Sequence, residues 1–140
     1  MKLSEHFSLE ELISSDTAKA KKIDNTPDYE SAARLAVLAN KVLEPARMEL
    51  GSPITISSGY RCAKLNKAVG GVSNSQHLFG EAADLRCKDI PTMRKLFAIL
   101  TKMDCDQILY EKNSAGAVWI HVSYRAEGNR HDYRDNYLVK

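Results

Sequence analysis

His77, Asp84 and His121 are the residues of this chain whose types and settings best suit chemistry. Two imidazoles and one carboxylate form a ligand set that suits zinc and leaves a fourth position for water, the arrangement of a catalytic rather than a structural site. His77 and Asp84 lie in the run Ser75-Gln76-His77-Leu78-Phe79-Gly80-Glu81-Ala82-Ala83-Asp84-Leu85. His121 lies in Val118-Trp119-Ile120-His121-Val122-Ser123-Tyr124. An open site of this kind points to hydrolysis. The spacing alone is weak, because H-x6-D arises by chance in many chains and a single strand histidine is more often a satisfied polar residue than a ligand.

The elements that must position these residues can be read from pattern. Ser8-Leu9-Glu10-Glu11 is a capping box for a short helix reaching Ser14, and a polar, lysine-rich connection follows from Asp16 to Asn25. Thr26 as N-cap and Pro27 at the first helical position open a long helix with Ala32, Leu35, Leu38, Val42 and Ala46 on its buried stripe. Pro45 should kink this helix and Gly51 end it. Ile54 to Ser58, Glu81 to Arg86, Gln107 to Tyr110 and Val118 to Tyr124 read as strands. Ala63 to Val69 reads as a short helix, and Pro91 opens another with Leu96, Phe97, Leu100 and Met103 as its core face. This order predicts an α+β class, with helices on one face of a small, mainly antiparallel sheet and a cleft on the other. In the last strand Val118, Ile120, Val122 and Tyr124 share one face, and Trp119, His121 and Ser123 the other, so His121 should project into an open groove. Asp84 shares its face with Ala82, whose small side chain leaves room, while His77 is expected in a loop.

Composition narrows the classes. A chain of 140 residues can bury a core without help from disulfides, and a net charge of +2 with interleaved signs excludes an evident nucleic-acid surface. Cys62, Cys87 and Cys105 form no C-x-x-C pair and no even framework, which predicts free thiols. The segment Met1 to His6 has no apolar run and nothing approaches a membrane span. The expectation is a monomer without signal peptide or membrane anchor, cytoplasmic as synthesised and reaching any outside substrate through release by another protein. Cys62 beside Arg61 raises a rival, a cysteine peptidase, but that reading leaves Asp84 and one histidine unused.

The run S-x-H-x-x-G-x-A-x-D, preceded by Ser57-Ser58-Gly59-Tyr60-Arg61 and followed by W-x-H, resembles the zinc D-Ala-D-Ala peptidases of the M15 family, of hedgehog/DD-peptidase fold. Phe7-Ser8-Leu9-Glu10-Glu11 and Ser15-Asp16-Thr17-Ala18 with Asn25-Thr26-Pro27 are similar to a compact branch found in phage and prophage genomes, which includes endolysins. The likeness spans residues 1–140 as one peptidase domain. It implies zinc on His77, Asp84 and His121, and peptidoglycan or muropeptides as substrate, cut by a D,D-carboxypeptidase or an endopeptidase. It also implies that Arg61 holds the substrate carbonyl as it becomes an oxyanion. Independently, a guanidinium just beyond a glycine at a strand end supplies forked donors suited to that work.

The general base departs from part of the family. Dipeptidases of the group carry glutamate where Val118 stands, and some carboxypeptidases carry histidine where Trp119 stands. Glu111, ending Ile108-Leu109-Tyr110-Glu111, is the remaining candidate, as in the similar Tyr-Glu of the hedgehog signalling domain; Glu127 and His131 come next. Tyr60 and Trp119 are expected to wall the cleft, and Ser75 and Gln76 to orient substrate or support His77. The alternative is a catalytically weak, zinc-containing binding module of the same fold.

Overall fold

The computed structural model describes residues 1–137 and forms an α+β fold. The N-terminal half is helical: α1 (Leu9–Ile13), α2 (Asp16–Lys21), α3 (Tyr29–Leu38), a π-helical turn (Ala39–Leu43) and α4 (Glu44–Leu50). There follow β1 (Thr55–Ser58), α5 (Ala63–Ala68), a 3-10 turn (Gln76–Phe79), β2 (Ala82–Arg86) and α6 (Ile90–Leu100). The strands β3 (Gln107–Lys112), β4 (Val118–Ser123) and β5 (Asp132–Asp135) complete the sheet. Its order is β1-β2-β4-β3-β5, antiparallel throughout except for the parallel β3–β5 pair.

Side-chain alternation divides the sheet into two faces. Ala83 and Leu85 of β2, Ile108 and Tyr110 of β3, and Ile120 and Val122 of β4 are fully buried against the helices. Leu35, Leu38, Val42 and Ala46 meet them from the α3–α4 rod, and Met93, Leu96 and Leu100 from α6. Phe97 and Met103 sit only at the rim of this core, with Met93 and Ile99 more deeply placed than either. Fully burying an aliphatic side chain of this size contributes roughly 1.5–3 kcal/mol, so this layer carries the fold.

Helix ends follow local hydrogen bonding. The Ser8 hydroxyl accepts from Glu11 N at 3.2 Å while the Glu11 carboxylate accepts from Ser8 N at 3.1 Å, completing the capping box. The stretch after Ser14 is not an irregular connection: the Ser15 hydroxyl accepts from Ala18 N at 3.1 Å and caps α2, which Lys22 closes in a left-handed conformation. The long helix starts later than Thr26. Asp24 Oδ1 captures both Thr26 N and Thr26 Oγ1 in a local turn, and Asp28 caps α3 instead by accepting from Ser31 N at 2.8 Å. Pro45 lies within the first turn of α4, directly after the π-helical turn. A proline there cannot donate to the carbonyl four residues back, and the widened turn absorbs that loss. Gly51 ends α4 with φ +69°.

Candidate metal centre

β2 and β4 lie side by side in the middle of the sheet, and their register sets Asp84 directly opposite His121. The core-facing neighbours Ala83, Leu85, Ile120 and Val122 fix the strands' rotation, so both polar side chains point to the other face. β1 bulges at Ser57 where it passes this point, and Ser57 Oγ donates to the Asp84 carbonyl at 3.3 Å. His77 arrives from the 3-10 turn rather than from a loop. Ser75 Oγ accepts from His77 N at 3.2 Å and starts the turn, and Gly80 ends it with φ +75°. A Cβ on Gly80 would lie 2.3 Å from the Ser31 carbonyl oxygen, so only glycine lets this turn press against α3 on its way into β2.

The three side chains converge. His77 Nδ1 donates to the Gly59 carbonyl at 2.7 Å, and Nε2 faces Asp84 Oδ1 at 3.4 Å. His121 Nδ1 stands 3.0 Å from the same oxygen, and the two imidazole centroids are 5.2 Å apart, edge to face. One donor atom from each residue lies within 4.8 Å of the others. His77 is only 3% exposed, and the Asp84 and His121 side chains show 19% and 16% of their surface. Burial alone would push the Asp84 carboxyl up; the imidazoles of His121 and His77 override it and hold the group well below the usual carboxylate range.

This donor set fits a zinc ion. Because the Gly59 carbonyl takes up Nδ1, Nε2 is the ring atom that His77 can offer to a cation, beside the Asp84 carboxylate. Around tetrahedral zinc with bonds of about 2.0–2.2 Å, ligand atoms stand roughly 3.3–3.5 Å apart, near the 3.4 and 3.0 Å that separate the two imidazoles from Asp84 Oδ1. Three ligands leave one coordination position, and the centre has somewhere to use it. Asp84 forms the floor of a cleft of ≈ 300 Å³ between residues 14–17 and the end of β1, with Tyr60 and Arg61 on its side. Arg61 is half-buried, its Nε without a hydrogen-bond partner among the described residues. Burial draws its guanidinium below the ordinary arginine value against the pull of Asp84, and it stays cationic at any physiological pH.

Residues 14–17 were not expected at the site. The sequence marks them only by the Ser15 cap, and tertiary packing of α2 brings them there. Glu111 on β3 stands opposite Trp119 of β4, on the same sheet face as His121 and two pairs further along the ladder. Its Oε1 accepts from Asn136 Nδ2 at 2.8 Å. Gln76 turns away from the cleft: its Nε2 donates to Asp106 Oδ2 at 3.0 Å. Asp106 is fully buried and also accepts from the Arg130 guanidinium at 2.7 Å and from Arg130 N at 2.9 Å. His131 hydrogen-bonds Asp104 at 2.6 Å on the exposed surface, and Glu127 is exposed in the preceding turn. All the cysteines are free, and burial pushes the Cys87 thiol up to about 11 and Cys105 to about 12, so neither supplies a thiolate. Cys62 Sγ caps α5 by accepting from Leu65 N at 3.4 Å.

An α+β fold whose two central strands and a 3-10 turn bring two histidines and an aspartate together, the aspartate lining a cleft, defines a candidate mononuclear metalloprotein. Sequence comparison gives the family: the Peptidase M15 profile matches residues 5–123, and the chain belongs to that family. A segment of 44 residues, 31% of the chain, is 48% identical to the zinc D-Ala-D-Ala carboxypeptidase of Streptomyces albus G. The match spans 17% of that relative's length.

Proposed function

We propose that the protein is a zinc-dependent peptidase that hydrolyses peptide bonds of bacterial peptidoglycan or its muropeptides. The observation that carries this reading is the convergence of His77 Nε2 and His121 Nδ1 on Asp84 Oδ1, with Asp84 itself lining a cleft that Arg61 flanks. Membership of the Peptidase M15 family and the likeness to a zinc D-Ala-D-Ala carboxypeptidase support it. His77, Asp84 and His121 hold the ion in this reading; zinc supplies a Lewis acid that polarises the scissile carbonyl and makes water nucleophilic near neutral pH.

The remaining work falls to the chain's own groups. Arg61 meets the carbonyl oxygen as charge develops on it, with a fixed cation in a partly desolvated cleft and no protein hydrogen bond at Nε to compete. Glu111, oriented by Asn136, takes a proton from the attacking water and returns it to the leaving amine. Tyr60 walls the cleft beside Arg61, while Trp119 stands opposite Glu111 on the neighbouring strand. Ser75 and Gln76 act through His77, the first by starting its turn and the second by tethering that turn to Asp106.

The deciding experiment is mass spectrometry of fragments released from purified peptidoglycan by zinc-loaded protein, with a chelated control. Release of terminal D-alanine identifies a carboxypeptidase, and separation of cross-linked dimers identifies an endopeptidase. Absence of any released fragment, with zinc bound, would overturn the enzyme reading in favour of a wall-binding module.

A further inference from the structure

Asn25 precedes α3 in sequence and lies outside every motif with an evident chemical role, yet its side chain is 8% exposed and completely engaged. Nδ2 donates to the Ile13 carbonyl at 2.8 Å and to the Tyr60 carbonyl at 3.0 Å, while Oδ1 accepts from Cys62 N at 2.8 Å. Carbonyls need donors and an N–H needs an acceptor, so the partners fix which way the amide faces. Two of these bonds fall on the residues directly before and after Arg61. The third holds the end of α1, one residue before the cleft wall begins at Ser14.

Arg61 needs such a hold. Its buried Nε has no hydrogen-bond partner among the described residues, so no hydrogen bond at that atom aims the guanidinium. With only the through-space pull of Asp84 on the side chain, its placement leans on its backbone. That backbone is tied by Arg61 N to the His77 carbonyl at 3.0 Å, by Tyr60 N to the Leu12 carbonyl at 2.8 Å, and by the Asn25 amide on both sides. A displacement of about 1 Å at a group that meets a transition state can cost on the order of a hundredfold in rate.

We infer that Asn25 is a positioning residue for Arg61, one amide that locks the guanidinium-bearing segment to the α1–α2 wall and so fixes the width and aim of the cleft. The inference rests on the proposed role of Arg61 and goes beyond it by assigning the group that holds Arg61 in place. It also explains why an amide stands here. Aspartate has the same shape but only acceptors, and would set a carboxylate oxygen against the Ile13 and Tyr60 carbonyls.

The test is a double-mutant cycle with Arg61→Ala, Asn25→Ala and the pair, on soluble muropeptides, with kcat expressed per folded, zinc-loaded molecule. Asn25→Ala should lower kcat at least about tenfold with KM within about twofold, and should cost less than about twofold once Arg61 is already alanine. Asn25→Asp should lose activity to a similar degree. Independently of activity, the Arg61 Nε–H resonance should move from a single buried position in the wild type to an averaged, fast-exchanging one in both Asn25 variants. A full Asn25→Ala penalty persisting in the Arg61→Ala background, or an unmoved Arg61 resonance, overturns the inference, as does failure of both Asn25 variants to fold. Wild-type kcat in Arg61→Ala alone would instead overturn the role of Arg61, and would be seen before Asn25 is altered.

Discussion

At Asp84 the chain keeps an ionised carboxylate between two imidazoles, in a spot where burial by itself would favour the neutral acid. Asp84→Asn preserves shape and can still hydrogen-bond His121, but it removes the charge that a cation would balance. Loss of a group that merely orients a ligand costs 10–100-fold in metal affinity, so losing this charge should weaken zinc by at least about a hundredfold. Competition with a chelating dye measures it, and unchanged affinity would remove Asp84 from the ligand set. Glu111→Gln addresses chemistry rather than binding. The amide can still meet Asn136 but cannot take a proton, so zinc content should stay at the wild-type level while muropeptide hydrolysis falls at least about a hundredfold. Retained activity would send the search to another carboxylate or histidine; His131, tied to Asp104 on the surface, is poorly placed for it.

Among the elements, the junction of α1 with the segment after β1 is the tightest. A Cβ on Gly59 would stand 2.1 Å from the Leu12 carbonyl oxygen, a backbone atom that cannot swing aside. Gly59→Ala must push α1 and residues 59–61 apart, moving the carbonyl that orients His77. Overpacking of this kind costs about 1–3 kcal/mol, and the variant should lose zinc affinity along with stability in denaturant titrations run with and without zinc. Equal losses in both series would mean that the His77 tether is unaffected. The junction also shows what a sequence can reveal. β2 and β4 were legible because apolar residues alternate along them, which in turn turned Asp84 and His121 to one side. α2 was not, since Ala18 is its one fully buried residue and its lysines mimic a loop. β5 was not, because an edge strand reading Asp-Tyr-Arg-Asp has no apolar face; Gln107 and the backbone around Cys105 hold it through Asp132 and Tyr133. The proposed ligands announce themselves by residue type, whereas the cleft wall and Asn25 depend on contacts such as the one from Asn25 to Tyr60, 35 residues away.

For the whole molecule, stability should depend on zinc and on acid through separate groups. A ligand that binds only the folded state adds about 2.7 kcal/mol at a concentration a hundred times its dissociation constant, so chelation should lower the thermal midpoint and zinc alone should restore it. Asp106 governs the acid side. Burial would raise its pKa, but Arg130 and then Gln76 hold it below the ordinary carboxylate value. A folded pKa lower than the unfolded one adds stability that is present above the ordinary carboxylate range and is lost as pH falls through the depressed folded value. Asp106→Asn should therefore flatten the decline of stability below about pH 4, measured by denaturant titration across pH, at a cost of about 1–3 kcal/mol near neutrality. The placement of the ligands has a kinetic consequence as well. Two of the proposed ligands stand on central strands, which part only when the sheet opens, while the third rides on a 3-10 turn of four residues. Such turns have strained hydrogen bonds and fray locally. A bound ion would leave by the swing of His77 alone, so isotope exchange should quicken in Ser75→Ala, whose turn has lost its cap, and stay indifferent to mutations that merely loosen the α6 side of the core. If exchange follows that pattern, the centre has a hinged side and a fixed one, and the hinge sets how long an ion stays.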